Sequence, residues 1–258
     1  MAETRRFGLD FSRHDGFIDW KKLLAHVPLV DFVAMRCCIS YEYRDPVFLA
    51  NWNKAGELGL NRIAYHVVYP GESPLAQIKN LAGHLRGVFD PAQDRIAWDE
   101  ELEHGFDKAR HTATLVELNR LASLELNQAT HLLPLYSRTE FLRRLVDLTR
   151  LGNPLWLAQY LLLPPGATYA PEHAGPPTLP TGRTYLIHQT GHQLPNICAT
   201  TDKRYQDYNR WNPRGITIEQ FFNRVTVTPP PPPPPVVLTL DQRIARLESA
   251  AIKAGWNL

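Results

Sequence analysis

The stretch Arg95-Ile96-Ala97-Trp98-Asp99-Glu100-Glu101 reads as a short apolar strand that ends in carboxylates. Side chains alternate across a strand, so Asp99 and Glu101 fall on one face, roughly 6.6 Å apart along the backbone. This register keeps Ile96 and Trp98 together on the opposite face. Glu100 follows them there, where a charge needs a partner or water. A solvated acidic turn is the alternative reading of the same residues.

Working outward, similar apolar runs occur at 7–11, 32–37, 62–68, 132–136 and 155–160, and at 184–189 after a long loop. Helical segments fill the gaps over the first 160 residues. Asp45-Pro46 supplies an N-cap and a first-turn proline for a helix running toward Gly59, and Ser73-Pro74 repeats the device. Thr139 opens an amphipathic segment over 140–150. Thr217 and Gln220 have the spacing of a capping box. Strands alternating with helices predict βαβ units and a parallel sheet, most simply closed as a barrel.

In such barrels functional groups gather at the carboxyl ends of the strands. Asp10 ends the first run, and Asp99 and Glu101 end the fourth. Asp207, in Tyr205-Gln206-Asp207-Tyr208-Asn209, is expected after a last short strand. Each acid alone fits a turn or cap. The four together, all at strand ends, point to a site. Two close carboxylates cannot both ionise freely, and a protonated acid beside an ionised one is what glycoside hydrolysis requires. Tyr65, Tyr136, Arg36, Gln189 and Trp156 are the candidate substrate-binding residues. The two tyrosines fit a cleft because their hydroxyls need polar company, whereas Trp98 and Trp156 also fit as core packing. Arg36, within an apolar run, reads as a buried partner for the acids. No cofactor or metal is implied, and His188 and His192, flanking Gly191 in a loop, read as structural.

The chain has 258 residues, enough for one large core or two small domains. Hydrophobic residues make up 44% and charged residues 21%, the balance of a soluble globular protein. A formal net charge of +2 and the lack of a Lys/Arg run exclude a phosphate-tracking surface, so no nucleic-acid partner is expected. Cys37, Cys38 and Cys198 make no disulfide framework, and the adjacent pair reads as buried thiols. No apolar signal core precedes Phe7 and no run of 18 apolar residues occurs. The expectation is synthesis in a cytoplasm with no membrane insertion. Action outside the cell then requires release, or carriage in a particle.

The predicted organisation is a barrel over 1–228, a linker over 229–237 and a C-terminal helix over 238–258. A proline-rich segment, 161–183, holds six prolines between two strands and is expected to rim the strand-end face. Seven unbroken prolines at 229–235 predict a stiff polyproline II spacer. Beyond it Leu240, Ile244, Leu247, Ala251 and Ala254 repeat at four, three, four and three, a heptad seam two repeats long. Thr239 and Gln242 add a capping box. A helix of about 15 residues is marginal alone in water. Self-association as a dimer or trimer, or docking to a virion or tail protein through Leu240, Ile244 and Leu247, is therefore expected.

With these residues in view, the chain resembles the lysozyme-type muramidases of glycoside hydrolase family 25 over about residues 5–215. Gly8-Leu9-Asp10-Phe11-Ser12 is similar to the family's opening Gly-x-Asp-x-Ser strand, and Ile18-Asp19-Trp20 follows in place. Phe32-Val33-Ala34-Met35-Arg36 resembles its second strand, with Asp45, Phe48 and Asn51 on the next helix. Ala64-Tyr65-His66 resembles the Tyr-His strand, and Asp99-Glu100-Glu101 fills the Asp-x-Glu signature. Leu135-Tyr136-Ser137, Leu155-Trp156-Leu157-Ala158-Gln159-Tyr160 and His188-Gln189-Thr190 resemble later strands. Asp207-Tyr208-Asn209 resembles the closing Asp-x-Asn segment.

The resemblance implies a flattened, irregular β/α barrel. It implies cleavage of the β-1,4 bond between N-acetylmuramic acid and N-acetylglucosamine in peptidoglycan. By position it carries an acidic site onto Asp10, Asp99, Glu101 and Asp207. On this reading Glu101 is the general acid, with its proton affinity raised by the other three acids, and Asp99 orients the substrate acetamido group. An inverting scheme with Asp10 or Asp207 as base is the rival. The implied role is that of a phage endolysin or a virion- or tail-associated lysin. Two departures stand out. No wall-binding repeats follow the catalytic region, and Glu100 replaces the usual apolar residue of the signature. Asp94-x-x-Ala97-x-Asp99-x-Glu101 also partly resembles the chitinase Asp-x-x-Asp-x-Asp-x-Glu strand, with Ala97 in place of the middle acid. A non-catalytic wall-binding or structural component is the remaining alternative.

Overall fold

Strand alternation sorts the side chains into two layers before any helix is placed. In a computed structural model, which describes residues 6–26, 29–160, 175–201 and 205–223, both layers are filled. The elements in chain order are β1 (Phe7–Phe11), α1 (Trp20–Ala25), β2 (Val30–Ile39), β3 (Tyr43–Arg44), α2 (Phe48–Glu57), β4 (Asn61–Val67) and α3 (Pro74–Leu85). Then follow β5 (Arg95–Asp99), α4 (Lys108–Leu126), β6 (Leu135–Ser137), α5 (Thr139–Leu145), β7 (Leu155–Ala158), β8 (Tyr185–Pro195), β9 (Tyr205–Trp211) and α6 (Ile218–Phe221).

The sheet order is β1-β9-β8-β7-β6-β5-β4-β2, and β2 pairs back onto β1, which closes an eight-stranded ring. β3 hangs on β2. Six of the ring's pairings are parallel, but β9 runs antiparallel to both β8 and β1. The expected all-parallel sheet is thus corrected to a mixed one. Only nine residues, 196–204, separate β8 from β9. A parallel return needs a crossover of a dozen or more residues, so the chain turns back on itself instead.

The outer layer, between strands and helices, contains Phe7, Leu9, Val33, Met35, Ile96, Trp98, Leu135 and Leu155. The ring's interior holds Phe32, Ala34, Ile63, Ala97, Tyr136, Trp156, Ile187 and Trp211, with Phe221 and Phe222 of the α6 region packed among them. Arg95 is buried at this base and its Nε donates to the Phe221 carbonyl at 2.7 Å. One mouth of the barrel is therefore plugged and the other is left for chemistry.

Gly8 shows how tight the interior is. A Cβ built there would lie inside the van der Waals envelope of the Phe32 ring. Gly8→Ala is expected to destabilise the barrel by roughly 2–3 kcal/mol through overpacking. Urea unfolding monitored by tryptophan fluorescence measures it, and an unchanged midpoint would contradict this account of the interior.

Local signals are met in part. Ser73 caps α3 by accepting from the Ala76 amide, with Pro74 in the first turn. The Thr217–Gln220 capping box is complete. Asp45 is not the cap of α2, which starts at Phe48 after Val47. Its carboxylate is taken by Arg36 and by the Arg13 and Val47 amides. Thr139 does not cap α5 either, because its hydroxyl donates to the Thr178 carbonyl. That helix ends at Leu145, where Val146 turns extended, and Asp147 caps a separate 3-10 turn over Leu148–Arg150. The run expected over 132–136 begins only at Leu135. Thr130–Leu132 forms a 3-10 turn, and Pro134 lacks a ladder N–H.

Cys37, Cys38 and Cys198 are buried free thiols. Among the described residues no helix is long and apolar enough to cross a membrane. The expectations placed on 161–174, 229–237 and 238–258, including Leu240, Ile244 and Leu247, lie outside the described residues.

Candidate active site

The open mouth holds a cavity of about 490 Å³. Its lining includes Asp10, Arg36, Tyr65, Asp99, Glu101, Tyr136, Trp156, Gln189 and Asp207. All nine residues predicted from sequence thus meet at one place. β5 delivers Asp99 as its last residue, with Glu101 two residues on. Asp10 lies in β1 directly opposite Asp207 of β9. Asp207 does not follow a last strand, as expected, but sits near the start of one. Because β9 is antiparallel, its beginning shares the mouth with the carboxyl ends of the parallel strands.

A hydrogen-bonded chain floors the cavity. Asp10 Oδ2 accepts from Gln189 Nε2 at 2.9 Å and from Asn209 Nδ2 at 2.7 Å. Gln189 Oε1 accepts from the hydroxyls of Tyr136 at 2.9 Å and Tyr160 at 3.1 Å. Asn209 Oδ1 accepts from Trp156 Nε1 at 2.8 Å. The amide orientations are set by these partners, since Asp10 offers only acceptors to two carboxamides. Trp156 edges onto both Tyr65 and Tyr136. Buried to 2% exposure, it shapes the wall while its ring stays largely in the core.

Asp99 is the most perturbed acid. Burial pushes its carboxyl well above the usual range, and Glu101, Glu100 and Asp10 add like charge, with Arg36 opposing. Its Oδ1 has no hydrogen-bond partner among the described residues. Burial also raises Glu101, against the pull of Arg138. Burial is the largest cause for both acids, and Asp99 stands deeper in the ring. The pair holds a proton to higher pH than free carboxyls do. Tyr65 and Tyr136 are raised well above their ordinary values by burial and by the surrounding acids, and Tyr160 is pushed up to about 12. Three phenols therefore stay protonated donors around the acids.

Arg36 reaches the cavity, but its Nε is 2.9 Å from Asp45 Oδ2. Its direct partner is Asp45 and not one of the four acids, of which Asp99 feels its charge at longer range. Trp98 is core, with Nε1 donating to Asn119 Oδ1 at 2.8 Å. Asp94, the first acid of the chitinase-like pattern, is gripped by Arg62 at 2.8 and 2.9 Å. His188 lies within β8 and not in a loop, with Nε2 2.8 Å from the Gln159 carbonyl. Among the described residues no group of three His, Cys, Asp or Glu side chains could hold a metal ion.

Ile39, Val67, Tyr69, Leu102 and Tyr160 also line the cavity and were not singled out as site residues. Tyr69 stacks on His104 with ring centroids 4.2 Å apart. Tyr160 is one of the strand-end aromatics of the sequence, and the same rule could have found Tyr69, which also lies two residues past the end of its strand. The cavity is thus a cleft with one acidic floor and one aromatic and apolar arm, suited to a chain of neutral, hydroxyl-rich rings.

A family model described as glycosyl hydrolases family 25 matches residues 9–175. No curated protein sequence matches the chain. Several solved structures share the fold. A bacterial lysozyme from Streptomyces coelicolor is 18% identical with a TM-score of 0.64, covering 86% of this chain and 99% of its own. A family GH25 lysozyme from Aspergillus fumigatus is 20% identical with a TM-score of 0.63, over 86% and 99%. The catalytic domain of an endolysin from a Listeria monocytogenes bacteriophage is 14% identical with a TM-score of 0.63, over 87% and 98%. At these identities the likeness is one of fold.

Proposed function

Because this chain belongs to glycosyl hydrolases family 25 and is a glycoside hydrolase, we propose that it is an N-acetylmuramidase that cuts peptidoglycan between N-acetylmuramic acid and N-acetylglucosamine. The observation that carries this reading is the convergence of Asp99 and Glu101 with Asp10 and Asp207 on one cavity.

Glu101 protonates the leaving glycosidic oxygen. Its burial supports this role, because a carboxyl that holds its proton to higher pH is a competent acid near neutrality. Asp99 holds the 2-acetamido N–H, so that the acetamido oxygen attacks the anomeric carbon as the leaving bond breaks. Glu101, now ionised, takes a proton from the water that opens the cyclic intermediate. Such substrate assistance is a recognised variant of glycoside hydrolysis. The raised affinity of Asp99 supports it, since Asp99 can take the acetamido N–H proton as the ring closes and return it to the nitrogen when water opens the ring. Asp10, fixed by two amide donors, faces the positive charge that develops on the ring.

Mass spectrometry of digested peptidoglycan tests the bond. Fragments with muramic acid at the reducing end are expected, and N-acetylglucosamine at that end would overturn the assignment. Proton NMR of fresh product should show the β anomer if configuration is retained.

The chain's biological setting is, on this reading, that of a phage lysin reaching the wall after release or within a particle. The endolysin among its structural relatives supports that setting.

A further inference from the structure

A second buried pair lies behind the acids. Glu100 points away from the cavity, and both it and His111 of α4 are fully buried. His111 Nδ1 lies 2.9 Å from Glu100 Oε1, and Nε2 lies 3.2 Å from the Glu103 carbonyl. One imidazole thus grips the segment on both sides of Glu101. Ser137 Oγ donates to the Glu100 carbonyl at 2.6 Å, and Phe141 of α5 meets the imidazole edge-on.

The partners dictate the protons. A carbonyl only accepts, so Nε2 must carry hydrogen. Nδ1 then either donates to an ionised Glu100 or accepts from a protonated one. Both states contain one shared proton and keep both contacts. Removing that proton turns the Nδ1 lone pair toward a carboxylate. It also leaves a buried charge uncompensated, and Glu100 Oε2 has no other partner among the described residues.

The charged groups around the pair are Asp99, Glu101 and Glu103 on its own strand and loop, Arg138 ahead of α5, and Arg144 of α5, which pairs with Glu103. Burial raises the Glu100 carboxyl to about 7 against the pull of His111. Burial opposes charge on His111, yet Glu100 and the Glu103 and Phe106 carbonyls hold it above its usual value. Both directions agree with one proton that the pair holds to higher pH than a free carboxyl would.

We propose that Glu100 and His111 form a one-proton latch that positions the Glu101-bearing loop, closed while the shared proton is present and released when it is lost. His111 is a positioning residue and touches no substrate. The inference rests on Glu101 as proton donor, but its test has an arm that does not.

Glu100→Gln is the discriminating variant. Its amide donates to Nδ1 while Nε2–H still donates to the Glu103 carbonyl, so the latch stays shut with no proton to lose. In the wild type, the His111 ring ¹⁵N shifts should report the loss of one shared proton from the pair between about pH 5 and about pH 8, and in Glu100→Gln they should show no such step. Over that range wild-type kcat should fall about tenfold or more further than that of the variant, the worth of one hydrogen bond to a charged group, with KM unmoved. Identical His111 titrations, or superimposable kcat profiles, would overturn the latch. Should the variant not fold, wild-type His111 ring ¹⁵N shifts that stay constant over that range overturn it alone. If Glu101 were not the acid, its own substitution would leave activity intact while the NMR arm still reported on the latch.

Discussion

Glu101→Gln is expected to lower kcat on peptidoglycan by about a thousandfold or more, while KM changes little. Glutamine keeps the shape and the polar contacts of Glu101 but carries no transferable proton. General acid catalysis contributes about 10²–10⁴ in rate, and the same side chain is asked to act twice, first as acid and then as base. Burial already penalises the ionised carboxylate, so the fold should not suffer. Turbidity loss of cell walls gives the rate, and thermal unfolding gives the control. A variant that clears walls within tenfold of wild type, with an unchanged melting temperature, would remove Glu101 from the mechanism.

Asp99→Asn should separate activity from stability. Activity should drop about a hundredfold or more, because the amide cannot accept a proton as Glu101 loses its own. Stability should rise by about 1 kcal/mol or more, since a buried charge crowded by other acids is removed. For a domain of this size that is a rise of about 2–4 °C in Tm. The sign follows from the direction of the shift. A carboxyl whose folded proton affinity exceeds its unfolded one contributes stability that is present below the unfolded pKa and is lost as pH rises through the folded one. Wild type should therefore lose stability on going from mildly acidic to neutral pH, and Asp99→Asn should lose less. A variant that melts earlier than wild type at neutral pH would contradict this balance.

Much of the site was legible because alternation is a hard rule. Once Ile96 and Trp98 are assigned to the core side, Asp99 and Glu101 have nowhere to point but into the mouth, and Glu100 has nowhere but the layer under α4. That Glu100 needs a partner follows from its chain position. That the partner is His111 does not, since the two meet only when α4 packs against β5 and the residue that follows it. α4 offers little signal of its own, because its buried face carries His111, Thr112, Thr114 and Asn119 among the leucines. The direction of β9 was hidden for a different reason. Composition does not distinguish a strand that crosses over from one that doubles back, and connection length decides it. Asp45 misled in a third way, since a residue that can cap a helix can equally bind Arg36 and two amides, and only the fold determines which demand is met.

The ring closes by joining β1 to β9, the first and last strands, and each lends an aspartate to the mouth. A growing polypeptide therefore cannot gather the four acids until residue 207 has left the ribosome. Half-made copies hold an incomplete set of acids, and fragments cut before residue 207 remain so.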